Sequence, residues 1–178
     1  EIVYEKCSSL LGNSKIFISE QKKGVLKKIT KVIANNNSEK IIFGKNYNYK
    51  KNVKGFVFKD HLGKIDLPLP NLIGDFQISN VSTAIAVTRK LNHFKISESH
   101  IKESITKIKS EGRLQIITRG KLRDYVSGKN KILIDGAHNV LAATAVEKHL
   151  KKLNSSEKII MILGMMANKE HKKFIEIF

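Results

Sequence analysis

The chain has 178 residues, 41% of them apolar, which is enough to bury a core in one large domain or in parts of two. Its longest apolar runs, such as IIMILGMMA at 159–167, fall far short of the roughly 20 residues that span a bilayer, and the start carries no secretory-signal pattern. A single cysteine, Cys7, rules out an internal disulfide, and the scattered histidines lack zinc-site spacing, so the chain reads as a cytoplasmic protein without a structural metal.

The net charge of +17 raises the question of nucleic acid. Only four of the 33 basic residues are arginines (Arg89, Arg113, Arg119, Arg123), whereas recognition of bases and phosphates by bidentate forks favours arginine. Lysine is spread even through linkers such as 34–40, a compositional bias more than a designed patch. The charge is therefore discounted as a sign of a nucleic-acid partner, and a basic surface equally attracts anionic small molecules.

The first predicted strand is 15–19 (KIFIS), followed by a helix over 21–34 with Val25, Ile29, Val32 and Ile33 on one face. A strand over 40–43 precedes a hairpin whose arms are 55–58 and 64–67, turned by 60–63. Both prolines fall in 68–74 and break regular structure. Helical spacing resumes over 76–91, and Ser97 is placed to cap a helix carrying Ile101, Ile105 and Ile108. Beyond Glu111 the texture changes, which places a domain boundary between 1–111 and 112–178. Strands are predicted over 114–118 and 131–135. A helix over 139–153 and a strand over 158–163 then complete a strand, helix, strand unit of the kind that builds parallel sheets, with a last helix from about 168.

In open α/β sheets ligands bind beyond the carboxyl ends of the strands, and IDGAHN occupies that place. Asp135 would leave the strand, Gly136 would let the backbone turn closely, and His138 would stand at the next helix. Spacing alone equally allows Asp135 to be a plain helix cap and His138 to face water. ILGMMANKE ends the following strand and could bring Gly164 and Lys169 to the same edge. Arg113, in EGRLQ, could reach phosphate oxygens or be a solvated surface residue. Gln77 and Asn80, three apart in GDFQISN, suit an adenine edge and suit helix capping as well. Lys6, in YEKCSS, has no distinguishing local chemistry.

Five segments in one order carry a resemblance. YEKCSS resembles EKAGI, LPLPNLIGDFQISNVSTAIA resembles LxxPLxGxHQxxNAAxAxAA, SEGRLQII resembles PGRxQxI, IDGAHN resembles DGAHNPxA, and ILGMMANKE resembles xxGMxxDKD. These patterns belong to the folylpolyglutamate synthase and dihydrofolate synthase family of the Mur ligase superfamily. The resemblance implies an α/β fold: the end of a Mur-ligase-type central domain (1–111), then a partial Rossmann-like C-terminal domain with parallel strands (112–178).

It also implies the chemistry. In this family ATP phosphorylates the carboxylate of dihydropteroate or of a folyl glutamate, and the amine of L-glutamate attacks the acyl phosphate to give an amide, with Mg²⁺ offsetting the phosphate charge. By resemblance Lys6 matches the lysine that is carbamylated to ligate the second Mg²⁺. Gln77 and Asn80 match nucleotide-contacting amides, Arg113 the arginine on the ATP phosphates, Asp135 a nucleotide-contacting aspartate, and His138 the histidine at the reacting centre.

This chain departs from the patterns at Cys7, Ser8 and Ser9 where Ala-Gly-Ile is usual, at Phe76 where His is common, and at Asn168 where Asp is usual. Its 178 residues contain no G-x-x-x-x-G-K-[ST] phosphate loop, which the family carries as GTNGKGS. With Glu1 in place of an initiating Met and an unpaired apolar pattern at Phe174, Ile175 and Phe178, the expectation is a ligase piece cut at both ends and inactive alone. Two other readings stay open: a split ligase completed by a separate phosphate-loop chain, and a basic module that binds nucleic acid without catalysis.

Overall fold

A computed structural model describes residues 2–153 and 158–178. The chain divides into two compact units, Glu1–Pro70 with Gln77–Lys107, and Asn71–Phe76 with Ile108–Phe178.

In the first unit a short helix, α1 (Ile2–Ser8), leads into strand β1 (Lys15–Ile18). Helix α2 (Lys23–Val32) returns the chain so that β2 (Glu39–Ile42) can pair parallel to β1, from Lys15 opposite Glu39 to Ile18 opposite Ile42. A parallel pair cannot be joined by a tight turn, and α2 is the required crossover. Ile16, Ile18 and Ile33 form its core, with Leu26 and Ile29 of α2 and Cys7 packed against them. The helical periodicity read in this stretch is thus a half-buried stripe, with the buried Ile33 at the C-cap.

A three-stranded antiparallel sheet follows, in the order β3 (Asn48–Lys51), β4 (Gly55–Asp60), β5 (Gly63–Pro68). The predicted hairpin forms, and β3 adds a strand the sequence did not announce because NYKK carries no apolar alternation. Phe56, Phe58, Ile65 and Leu67 point to one face, as period-2 alternation demands. Helices α3 (Phe76–Thr88) and α4 (Glu98–Lys107) supply Ile78, Val81, Ile85, Ile101 and Ile105 to the same core. Ser97 caps α4 as expected, its Oγ accepting from the His100 N–H at 3.2 Å. Arg89, just past α3, donates to both carboxylate oxygens of Asp60 at 2.8 and 3.1 Å, a nearly buried pair that ties this helix to the end of β4.

In the second unit β6 (Gln115–Ile116) pairs with β7 (Leu133–Ile134), flanking a one-turn helix α5 (Lys121–Asp124). This pair is antiparallel, with Gln115 opposite Ile134. Helix α6 (Val140–Leu150) follows, and α7 (His171–Ile175) buries Phe174. The strand expected over 158–163 does not form. That segment pairs with no strand among the described residues, and Ile160 and Ile162 stand 80% and 96% exposed. A strand exists only through its ladder, so apolar, β-prone residues without a neighbour remain irregular. The fold is α/β, its parallel pair lying in the first unit. No helix among the described residues is long and apolar enough to cross a membrane.

Candidate functional site

The antiparallel β6–β7 pair sets the geometry of the second unit. Because the strands run in opposite directions, the segment entering β6 (Gly112, Arg113, Leu114) and the segment leaving β7 (Asp135, Gly136, Ala137, His138) lie at the same end of the ladder. Two backbone amides tie the segments together and a third closes the Asp135 turn. The Gly136 N–H donates to the Gly112 carbonyl at 2.8 Å. Asp135 Oδ2 accepts from the Leu114 N–H at 2.8 Å, and its Oδ1 accepts from the Ala137 N–H at 2.7 Å.

The lock holds an unfavourable backbone. Leu114 has φ of +47°, the left-handed region that costs a branched residue of order 1–3 kcal/mol, and Gly112 beside it has φ of +64°. Leu114 is wholly buried, so burial and the charged Asp135 acceptor together offset that cost. The Gly112 N–H is in turn satisfied by Gln115 Oε1 at 2.9 Å. A β-carbon at Gly136 would stand in ordinary contact, 3.4 Å from the Gly112 oxygen and 3.8 Å from Arg113 Nη1. The exposed Arg113 guanidinium therefore overlies the Gly136 turn.

Asp135 is not the cap of the next helix. Asn139 is, its Oδ1 accepting from the Ala142 N–H at 2.9 Å, which leaves Asp135 to the loop clamp. A carboxylate offers about four lone-pair sites, and two of them are taken by Leu114 and Ala137. The remainder can accept from a ligand hydroxyl. His138 is exposed with Nδ1 2.9 Å from the Gly136 oxygen. A carbonyl oxygen only accepts, so Nδ1 carries the hydrogen, and in the neutral ring Nε2 is an acceptor facing solvent.

In the first unit, Gln77 and Asn80 meet on one turn of α3, Asn80 Nδ2 donating to Gln77 Oε1 at 3.1 Å. Gln77 is buried and Asn80 exposed, so one amide anchors the other. Lys6 sits exposed on α1, its Nζ paired with the adjacent Glu5 at 3.2 Å. Among the described residues no three His, Cys, Asp or Glu side chains gather so as to hold a metal ion. Gly164 stands in open space, and the Lys169 N–H closes a turn on the Met166 carbonyl at 3.0 Å.

The Mur ligase, glutamate ligase domain family matches residues 112–178, the span that holds the Arg113–Asp135 clamp. The dihydrofolate synthase/folylpolyglutamate synthase of Escherichia coli (strain K12) is 29% identical over 128 residues, 71% of this chain. Over that span the chain is similar to the folylpolyglutamate synthases and dihydrofolate synthases. The corresponding Buchnera aphidicola protein is also 29% identical, over 93 residues. The chain spans 27% and 20% of the lengths of these two relatives.

Solved structures show the shared fold. E. coli FolC in complex with DHPP and ADP superposes with a TM-score of 0.81 at 24% identity, covering 98% of this chain and 39% of that one. A bifunctional folylpolyglutamate synthase/dihydrofolate synthase with Mn, AMPPNP and L-glutamate bound gives 0.80 at 21% identity, covering 99% and 39%. The Mur-ligase-type fold expected from the motif order is the fold these structures share with the chain, and the second unit contains the residues of the matched domain.

Sequence alone singled out neither Leu114, Gly112 and Gln115 of the clamp nor Asn139 as the cap of α6. Leu114 had no signal, since a left-handed leucine has no sequence signature. Gly112 and Gln115 stood in the EGRLQ motif but were read only as neighbours of Arg113. Asn139 could have been found: an Asn immediately before the apolar run VLAATAV is a ready N-cap.

Proposed function

We propose that this chain supplies part of the nucleotide- and glutamate-handling apparatus of an ATP-dependent amide ligase. The reaction joins L-glutamate to dihydropteroate or a folyl-(poly)glutamate through an acyl phosphate. The observation that carries the reading is the clamp, in which Asp135 fixes the loop under Arg113 and leaves both a guanidinium and free carboxylate lone pairs at the surface. Arg113 binds phosphate oxygens by its planar fork, and Asp135 accepts from the nucleotide. His138, oriented by the Gly136 carbonyl, offers Nε2 to take a proton at the amine that attacks. Gln77 and Asn80 present a linked amide pair to the same class of ligand, and Lys6 becomes an oxygen donor for Mg²⁺ only on carbamylation. The division at residue 111 separates these two sets. The relatives bind ADP, or AMPPNP and L-glutamate, which supports a nucleotide here.

The 178 residues contain no Gly-rich phosphate loop, so turnover requires one from outside them. A coupled assay for ADP release with ATP, pteroate and L-glutamate tests this. The chain by itself is expected to stay at background, and to reach measurable turnover only with a polypeptide carrying such a loop. In the same mixture Arg113→Ala is expected to remove most of the activity. Turnover by the chain alone, or full activity of Arg113→Ala, would overturn the proposal.

A further inference from the structure

A cleft in the first unit, lined by none of the residues assigned above, has the charge and build of an anion site. Its volume is about 470 Å³, within the range of small-molecule sites, and its walls include Lys45, Asn46, Lys59, His61 and Lys90. Two acids, Glu39 and Asp60, also line it. Both are already used: Glu39 accepts from Lys90 at 2.9 Å, and Asp60 holds Arg89 at 2.8 Å. Among the described residues Lys45 and Lys59 have no carboxylate partner, so their charge is uncompensated.

Two independent features point to an occupant. The first is the strand register. Lys59 on β4 stands directly opposite Lys64 on β5, and like charges facing each other across a ladder are destabilising. A bound anion relieves that repulsion. The second is the rigidity of the tip that presents Lys45. The Lys45 and Asn46 N–H groups both donate to the Ile42 carbonyl at 3.1 and 2.8 Å, and the Gly44 N–H donates to the Tyr47 carbonyl at 2.8 Å. Asn46 Oδ1 closes the tip by accepting from the Ile42 N–H at 2.9 Å, which leaves the Asn46 amide hydrogens for a ligand. Lys45 is thus carried on a preorganised loop.

We propose that this cleft binds a small phosphate-bearing anion. Lysines bind phosphate as compact point charges, and the one nearby arginine fork, Arg89, is already committed to Asp60. The site stands apart from the ligase reading, since none of its residues belongs to the Arg113–Asp135 clamp or the Gln77–Asn80 pair.

Titrating the 178-residue chain with inorganic pyrophosphate, followed by amide chemical shifts and calorimetry, tests the proposal. Saturable shifts are expected at 44–48, 59–61 and 90, and they should persist in Arg113→Ala. Loss of two charge-assisted contacts in Lys45→Ala/Lys59→Ala should weaken binding about tenfold or more. Lys27→Ala/Lys28→Ala, which removes the same two charges from exposed positions of α2, should leave binding within about twofold, as expected of distant independent sites. Citrate should bind more weakly than pyrophosphate. Equal losses in the two double variants, equal binding of citrate, shifts confined to other residues, or no saturable binding would each overturn it. The shift map of the unmutated chain decides the matter if the Lys45/Lys59 variant does not fold.

Discussion

Replacing Asp135 by Ala separates the structural work of this carboxylate from its proposed contact with nucleotide. The side chain accepts two short backbone hydrogen bonds, from Leu114 and Ala137. Hydrogen bonds to a charged group contribute about 1.5–3 kcal/mol each, and because Asp135 is only partly buried the lower end applies, giving about 3 kcal/mol for the two. The Leu114 residue adds to this, since its left-handed backbone stays in place only while its N–H is held and its side chain is buried. At 1.4 kcal/mol per tenfold, 3 kcal/mol corresponds to roughly a hundredfold faster local opening.

Native-state hydrogen exchange reads this directly. The Leu114, Gly136 and Ala137 amides should lose about two orders of magnitude of protection in Asp135→Ala, while amides of β4 and β5 stay unchanged. Asp135→Asn should fall between, because a carboxamide keeps one acceptor oxygen and turns an NH₂ toward the second backbone N–H. Unchanged protection at Leu114 would refute the idea that Asp135 holds the loop, and its role would then lie with the ligand alone.

Breaking the Arg89–Asp60 pair by Arg89→Ala strands a carboxylate that is 6% exposed and should cost about 3–5 kcal/mol, seen as a lower melting temperature; replacing both partners by apolar residues of similar size should cost much less. Ser82 is fully buried in α3 with its Oγ unpaired, so Ser82→Ala should be neutral or raise stability by up to about 1 kcal/mol in urea unfolding, and a loss of that size would show that the hydroxyl has a partner. Burial pushes the Tyr47 hydroxyl above its ordinary pKa of 10.0, and the hydroxyl donates to the Ile18 carbonyl at 3.1 Å with Thr83 Oγ1 at 3.0 Å. A raised folded-state pKa gives stability that is full below pH 10 and is lost as pH climbs through the folded value. Alkaline melts should therefore show an extra loss above pH 10 that Tyr47→Phe abolishes. The Lys90 ammonium beside Glu39 holds that carboxyl below its ordinary 4.5, so its contribution is present above that value and fades as pH falls through the lower folded value; Glu39→Gln should flatten that part of the acid melt.

Local pattern was sufficient for much of this protein. Alternation placed the β4–β5 hairpin, the 3.6 period placed α3 and α4, Ser97 marked a cap, and five ordered motifs pointed to the enzymes to which the chain proves similar. These features are written in neighbouring residues, because propensity, capping and turn chemistry act within a few positions. What lay beyond the sequence was pairing. NYKK becomes β3 only because β4 offers it a ladder, and KIIMIL stays irregular because no described strand does so. The antiparallel sense of β6 and β7 could not be read from composition, yet it alone brings Leu114 to Asp135 across 21 positions of chain. Sequence thus named Arg113, Asp135 and His138 singly. Only the tertiary structure gathered them into one clamp, because a hydrogen bond between distant segments depends on where the backbone carries them.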